Sequence, residues 1–119
     1  MGYNTDFEGQ LTIDKKLSLD DYQWLIRWND ERHEEGEGFP SYYCQWRPTE
    51  DGQFLEWDGS EKFYNYIEWL KYLIEKFFQP RGYVLNGQIV WNGEDKNDIG
   101  KVIVENNNVL VKEGKIVFK

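Results

Sequence analysis

The run Trp57-Asp-Gly-Ser-Glu-Lys-Phe-Tyr-Asn-Tyr-Ile-Glu-Trp-Leu-Lys-Tyr-Leu-Ile-Glu-Lys-Phe-Phe78 decides how the rest of the chain is read. Phe63, Tyr66, Ile67, Leu70, Ile74 and Phe77 recur at three- and four-residue steps, the period of an apolar stripe along a helix. Asp58-Gly59-Ser60 punctuates the chain before it. Ser60 predicts an N-cap and Gln79-Pro80 a stop, because proline disfavours a helical residue before it. A helix over 61–78 with Glu61, Lys62, Asn65, Glu68, Lys71, Glu75 and Lys76 on its wet side is the expected core element.

Outward from that helix the period changes. At positions 3–13 the odd residues Tyr3, Thr5, Phe7, Leu11 and Ile13 alternate as on a strand, with Gly9 a bulge or a close approach. Ser18, with Asp21 three residues on, caps a helix expected to reach about His33. Residues 41–47 and 53–57 flank the turn Pro48-Thr-Glu-Asp-Gly52, forming a hairpin in which Tyr42, Cys44 and Trp46 face inward. After the second helix, strands are expected at 83–85, 88–91, 101–105, 108–111 and 115–118. Asn86-Gly87 and Asn106-Asn107 serve as tight turns. The reading is an α+β fold: one domain over residues 1–119, in β-α-β-β-α-β-β-β-β order, with two helices on one face of a mainly antiparallel sheet.

Composition narrows function. With 22 acidic against 14 basic residues, the net charge of −8 disfavours direct nucleic-acid binding and anionic membranes and suits a basic partner surface. One cysteine and one histidine provide no disulfide and no zinc pattern, and no glycine-rich phosphate loop or dinucleotide fingerprint is present. No cofactor is implied, and the expected compartment is the cytoplasm.

Chemistry-bearing residues divide into several groups. His33 reads as a cation at a helix end, and Cys44 as a small buried thiol. Glu56, Asp58 and Glu61 are the carboxylates a hydrolase would use. Asn92-Gly-Glu-Asp-Lys-Asn-Asp98 fails the calcium-loop pattern, with Lys96 at the fifth ligand place, and reads as turn chemistry. Ser60-Glu-Lys62 could hold an anion at a helix start, although Glu61 opposes it. If Tyr42, Cys44 and Trp46 face the core, Tyr43 and Arg47 face outward. The expected ligand-binding set is therefore Tyr43, Arg47, Trp57, Lys62 and Tyr64, rings and cations on which a nucleobase or sugar would stack. Glu34, Glu35, Glu37, Glu94, Asp95 and Asp98 are the acidic residues expected to meet a protein partner.

The linked motifs Tyr43-Cys-Gln-Trp-Arg-Pro-Thr-Glu-Asp-Gly52, Glu56-Trp-Asp-Gly59, Glu61-Lys-Phe-Tyr-Asn-Tyr-Ile-Glu-Trp-Leu70, Gly82-Tyr-Val-Leu-Asn-Gly87 and Trp91-Asn-Gly-Glu-Asp95 resemble a family of small uncharacterised proteins spread through bacteria and their phages. The opening Gly2-Tyr-Asn-Thr-Asp-Phe-Glu-Gly9 extends the resemblance over nearly the whole chain, with a shorter stretch at 34–39. The resemblance implies a phage or mobile-element setting and no particular activity. Together these features predict a non-enzymatic accessory protein that counters host immunity, either by sequestering a small nucleotide-like ligand or by blocking a host defence protein. A hydrolase acting through the surface carboxylates and a carbohydrate-binding module are the alternatives.

Overall fold

Alternation in the first strand is visible in its burial: in β1 (Thr5–Ile13) residues Thr5, Phe7, Leu11 and Ile13 are buried and the even positions are exposed. The computed structural model describes residues 2–33 and 35–114. After β1 come α1 (Leu19–Asn29), a 3-10 turn (Glu35–Glu37), β2 (Trp46–Pro48), β3 (Phe54–Trp57), α2 (Tyr66–Leu73) continued by a π-helical turn (Ile74–Phe78), β4 (Leu85–Gly93), β5 (Ile99–Glu105) and β6 (Asn108–Glu113). The sheet order is β2-β3-β1-β4-β5-β6, every neighbouring pair antiparallel. Residues from both helices and from one sheet face join a single buried cluster. The fold is α+β, as the periodicities predict.

Helix α1 begins where expected. Ser18 adopts an extended backbone, and its hydroxyl accepts the Asp21 N–H at 3.2 Å. It stops at Asn29, short of His33: the Glu31 N–H turns to the Trp28 carbonyl at 3.1 Å and the His33 N–H to the Tyr42 carbonyl at 2.7 Å. Asn29 turns its amide to the Trp46 carbonyl at 2.7 Å, and the His33 ring lies 3.1 Å from the Trp28 carbonyl. His33 is thus a buried partner of a helix-end carbonyl.

The second helix starts at Tyr66, five residues later than the Ser60 cap implies. Ser60 instead donates its backbone N–H to Asp58 Oδ1 at 2.8 Å, and Lys62 and Asn65 both hold positive φ, which interrupts a right-handed helix. Residues 60–65 are tied to three distant segments. Gln45 Nε2 donates to the Glu61 carbonyl, Lys62 N–H donates to Asn4 Oδ1, and Asn65 Nδ2 donates to the Pro40 carbonyl. At the far end Gln79 N–H reaches back five residues to the Ile74 carbonyl at 2.8 Å. This wider turn accompanies the burial of adjacent Phe77 and Phe78.

Three further expectations are corrected. Residues 41–45 are not strand, and Tyr42 is exposed beneath the Arg32 guanidinium while Cys44 and Trp46 are buried. Asn86-Gly87 is not a turn. The two short strands expected around it are one, β4, which pairs with β1 without a break from Thr5↔Gly93 to Ile13↔Leu85. Gly87 has φ +140, and a Cβ there would lie 2.9 Å from the Gln10 carbonyl, so the glycine serves close strand approach rather than reversal. Gly9 is likewise a close approach and no bulge, its virtual Cβ 2.7 Å from the Gln88 carbonyl. Asn106-Asn107, with φ of 48° and 70°, forms the tight β5–β6 turn. The strand expected at 115–118 lies outside the described residues.

Most of the aromatic surplus is packing. The Phe7 ring meets Trp46, Trp57, Phe63 and Tyr66 at centroid distances of 4.9–5.8 Å. Between the helices Phe77, Trp24, Trp28 and Tyr72 stack in sequence. Such offset and edge-on contacts add about 0.5–1.5 kcal/mol each beyond burial.

Candidate functional site

The residues selected for ligand binding fall in different places. Tyr43 is exposed and lines a hollow of about 330 Å³ with Asn29, Gln45, Asp58 and Ser60. Asn29 Oδ1 is buried there with no partner among the described residues. Arg47 projects from β2 opposite Glu56 and lines a separate groove with Tyr22 and Ile26 of α1. Trp57 is half-buried against Phe7, its indole N–H shared between Gln45 Oε1 and the Ser60 carbonyl at 3.2 Å each. Lys62 and Tyr64 are brought together on the N-terminal segment. A Cβ on Gly2 would collide with both, and the Tyr64 hydroxyl accepts the Tyr3 N–H at 3.3 Å.

The hydrolase carboxylates also separate. Glu56 lines the Arg47 groove, Asp58 the Tyr43 hollow, and Glu61 is exposed. Burial pushes the Cys44 thiol far above its ordinary value, as suits a packed side chain and not a nucleophile. Of the N-terminal acidic set, Glu34 and the Glu35 side chain lie outside the described residues, and Glu37 is exposed. No group of three His, Cys, Asp or Glu among the described residues is placed to hold a metal ion.

The second acidic set converges. Asp98, half-buried at the start of the β5 hairpin, accepts the Tyr3 hydroxyl at 2.7 Å on Oδ2 and the Trp91 indole N–H at 2.9 Å on Oδ1. The Tyr3 hydroxyl oxygen also accepts the Asp95 N–H at 3.1 Å, and Glu94 Oε1 accepts the Asn4 N–H at 2.6 Å. Asp95 closes the turn itself, taking the Asn97 N–H on Oδ1 at 2.8 Å and the Asp98 N–H on its carbonyl at 3.0 Å. Two glycines make room. A Cβ on Gly93 would strike Asp98 and the Tyr3 hydroxyl, and one on Gly100 would strike the Trp91 ring.

These side chains open on a hollow of about 440 Å³ lined by Tyr3, Trp91, Asp95, Asp98, Ile99 and Glu113. Among the described residues no lysine or arginine pairs with its three carboxylates. The phenols beside it both have raised pKa values. The Tyr66 hydroxyl is pushed up to about 12, first by burial and then by the neighbouring Asp98, Tyr3, Glu68 and Glu113. The Asp95 N–H bond pulls the Tyr3 phenol down, but its bond to Asp98, burial and the two carboxylate charges outweigh this and raise it. Chemically the site offers the exposed Tyr3 ring and three carboxylates to a cationic group, with Trp91 buried behind them.

Sequence reasoning missed Tyr3, Trp91 and Glu113. The alternation of β1 put Tyr3 on the core-facing row, Trp91 is itself buried, and nothing local links Tyr3 to a residue 95 positions away. Compared with protein-family models, with curated proteins and with solved structures, the chain matches none. No helix among the described residues is long and apolar enough to cross a membrane.

Proposed function

We propose that the protein is a non-catalytic, stoichiometric binder that occupies a basic protein surface through the acidic, aromatic-lined end around Tyr3, Trp91 and Asp98. The observation that carries this reading is the hollow itself: three carboxylates beside the exposed Tyr3 ring, without a cation from the described residues. A lysine or arginine of a partner would gain charge-assisted hydrogen bonds and ring contact there, and the net charge of −8 would speed its approach. In the setting implied by the resemblance, the protein is a phage or mobile-element accessory protein that works in the host cytoplasm by blocking a defence protein. Blocking is favoured over nucleotide sequestration because Arg47 and Lys62, the cations a phosphate would need, lie in separate places and Arg47 faces Glu56.

Native mass spectrometry of protein recovered from a phage-infected host tests the reading. The expected result is a complex with a basic protein, retained by Arg47→Ala/Lys62→Ala and lost in Asp95→Asn/Glu113→Gln. A retained small anion released by the Arg47→Ala/Lys62→Ala change would establish sequestration instead, and a bare monomer would refute both.

A further inference from the structure

The two edges of the sheet are unlike. Strand β2 has three residues and ends on Pro48, a short edge that resists pairing. Strand β6 has six residues and no proline, with Leu110 and Val111 exposed at 48% and 45%. Among the described residues nothing pairs with its outer side.

The direction of its main-chain groups follows from one bond. Gly114 N–H donates to the Ile99 carbonyl at 2.7 Å, so even-numbered residues of β6 turn their N–H and C=O toward β5. Val109, Val111 and Glu113 therefore present theirs outward. The side chains of these same residues lie on the helix-covered face, because Val111 pairs with buried Val102 and Val109 with buried Val104. Glu113 ends that row and lines the acidic hollow. On the opposite face Lys101 stands across from Lys112 beside Val90. At this end of the edge the two faces thus carry opposite charge.

We propose that β6 receives an extended basic segment of the partner by strand addition. Val109, Val111 and Glu113 supply main-chain hydrogen bonds, and the hollow takes a lysine or arginine from the incoming strand. The recognition is the main-chain mode of peptide binding, in which alternate side chains supply selectivity. Charge complementarity selects the occupant: basic side chains on the face shared with Glu113, Asp95 and Asp98. This inference rests on the blocking reading above and names how that partner is held.

The probe is a short soluble peptide of alternating valine and arginine, with a valine–glutamate peptide as control. Saturable binding of the arginine peptide alone is expected, with new amide-exchange protection at Val109, Val111 and Glu113. Val111→Pro deletes an outward N–H without touching the β5 ladder, and should weaken binding at least about tenfold. Asp95→Asn/Glu113→Gln should weaken it about tenfold and flatten its salt dependence. Loss of binding in the acidic double variant, with no change in Val111→Pro and no new protection, would overturn strand addition and leave the blocking reading intact. Failure of the arginine peptide to saturate at millimolar concentration would overturn the proposal. So would slow exchange of the Val111 amide in the free monomer, which would place the chain's own residues on that edge. Self-association abolished by Val111→Pro would overturn it in favour of a second copy.

Discussion

Trp69 donates its buried indole N–H to the hydroxyl of Ser41 at 2.6 Å, and Ser41 passes its own hydrogen to the Tyr64 carbonyl at 3.3 Å. A loop serine thereby satisfies the polar atom of a fully buried ring and anchors the irregular segment ahead of α2.

Ser41→Ala should leave the Trp69 N–H buried without a partner and lower unfolding free energy by about 1–3 kcal/mol. Urea denaturation of the variant against Ser41→Thr, which restores an acceptor, checks this. Equal stability of the alanine and serine proteins would contradict it.

Gly87→Ala should destabilise by more than about 1 kcal/mol, because alanine at positive φ is strained and its Cβ meets the Gln10 carbonyl at 2.9 Å. Gly36→Ala is the matched control, with nothing within 4 Å of its virtual Cβ. A reversing turn at Asn86-Gly87 would instead let β4 shorten, and the β1–β4 amides there would exchange freely.

Phe78→Ala should cost about 3–5 kcal/mol, since the ring is fully buried behind the π-helical turn. Trp24→Ala should cost clearly less, because that ring, although stacked between Phe77 and Trp28, is 43% exposed. Thermal melting of the two variants ranks them.

Stability should fall in alkali. Cys44 and Tyr66 have folded-state pKa values raised above their ordinary 9.0 and 10.0, so the unfolded chain releases these protons first. Their contribution is fully present below about pH 9 and is lost upward, the Tyr66 part between 10.0 and about 12. Tyr66→Phe should flatten the upper part of that fall in denaturation followed against pH.

Local chemistry determined much of this protein. The Ser18 cap, the alternation of β1, the hairpin turn at 48–52 and the Asn106-Asn107 reversal depend on residues close in sequence, and each forms as the residues imply. The α+β class followed from the same periodicities. What needed the tertiary structure was every feature in which a distant group outcompeted a local one. Asn4, Pro40 and Gln45 bind the segment that would have been the first turn of the second helix. Gly87 answers to the Gln10 carbonyl across the sheet and not to Asn86 beside it. The candidate site has the same origin. Tyr3, Trp91 and Asp98 become neighbours because the β1–β4 ladder and the β4–β5 connection carry them to one end of the sheet. Propensity and periodicity reach across a few residues. Hydrogen bonds closed by folding reach across the whole chain, and they decided where these side chains meet.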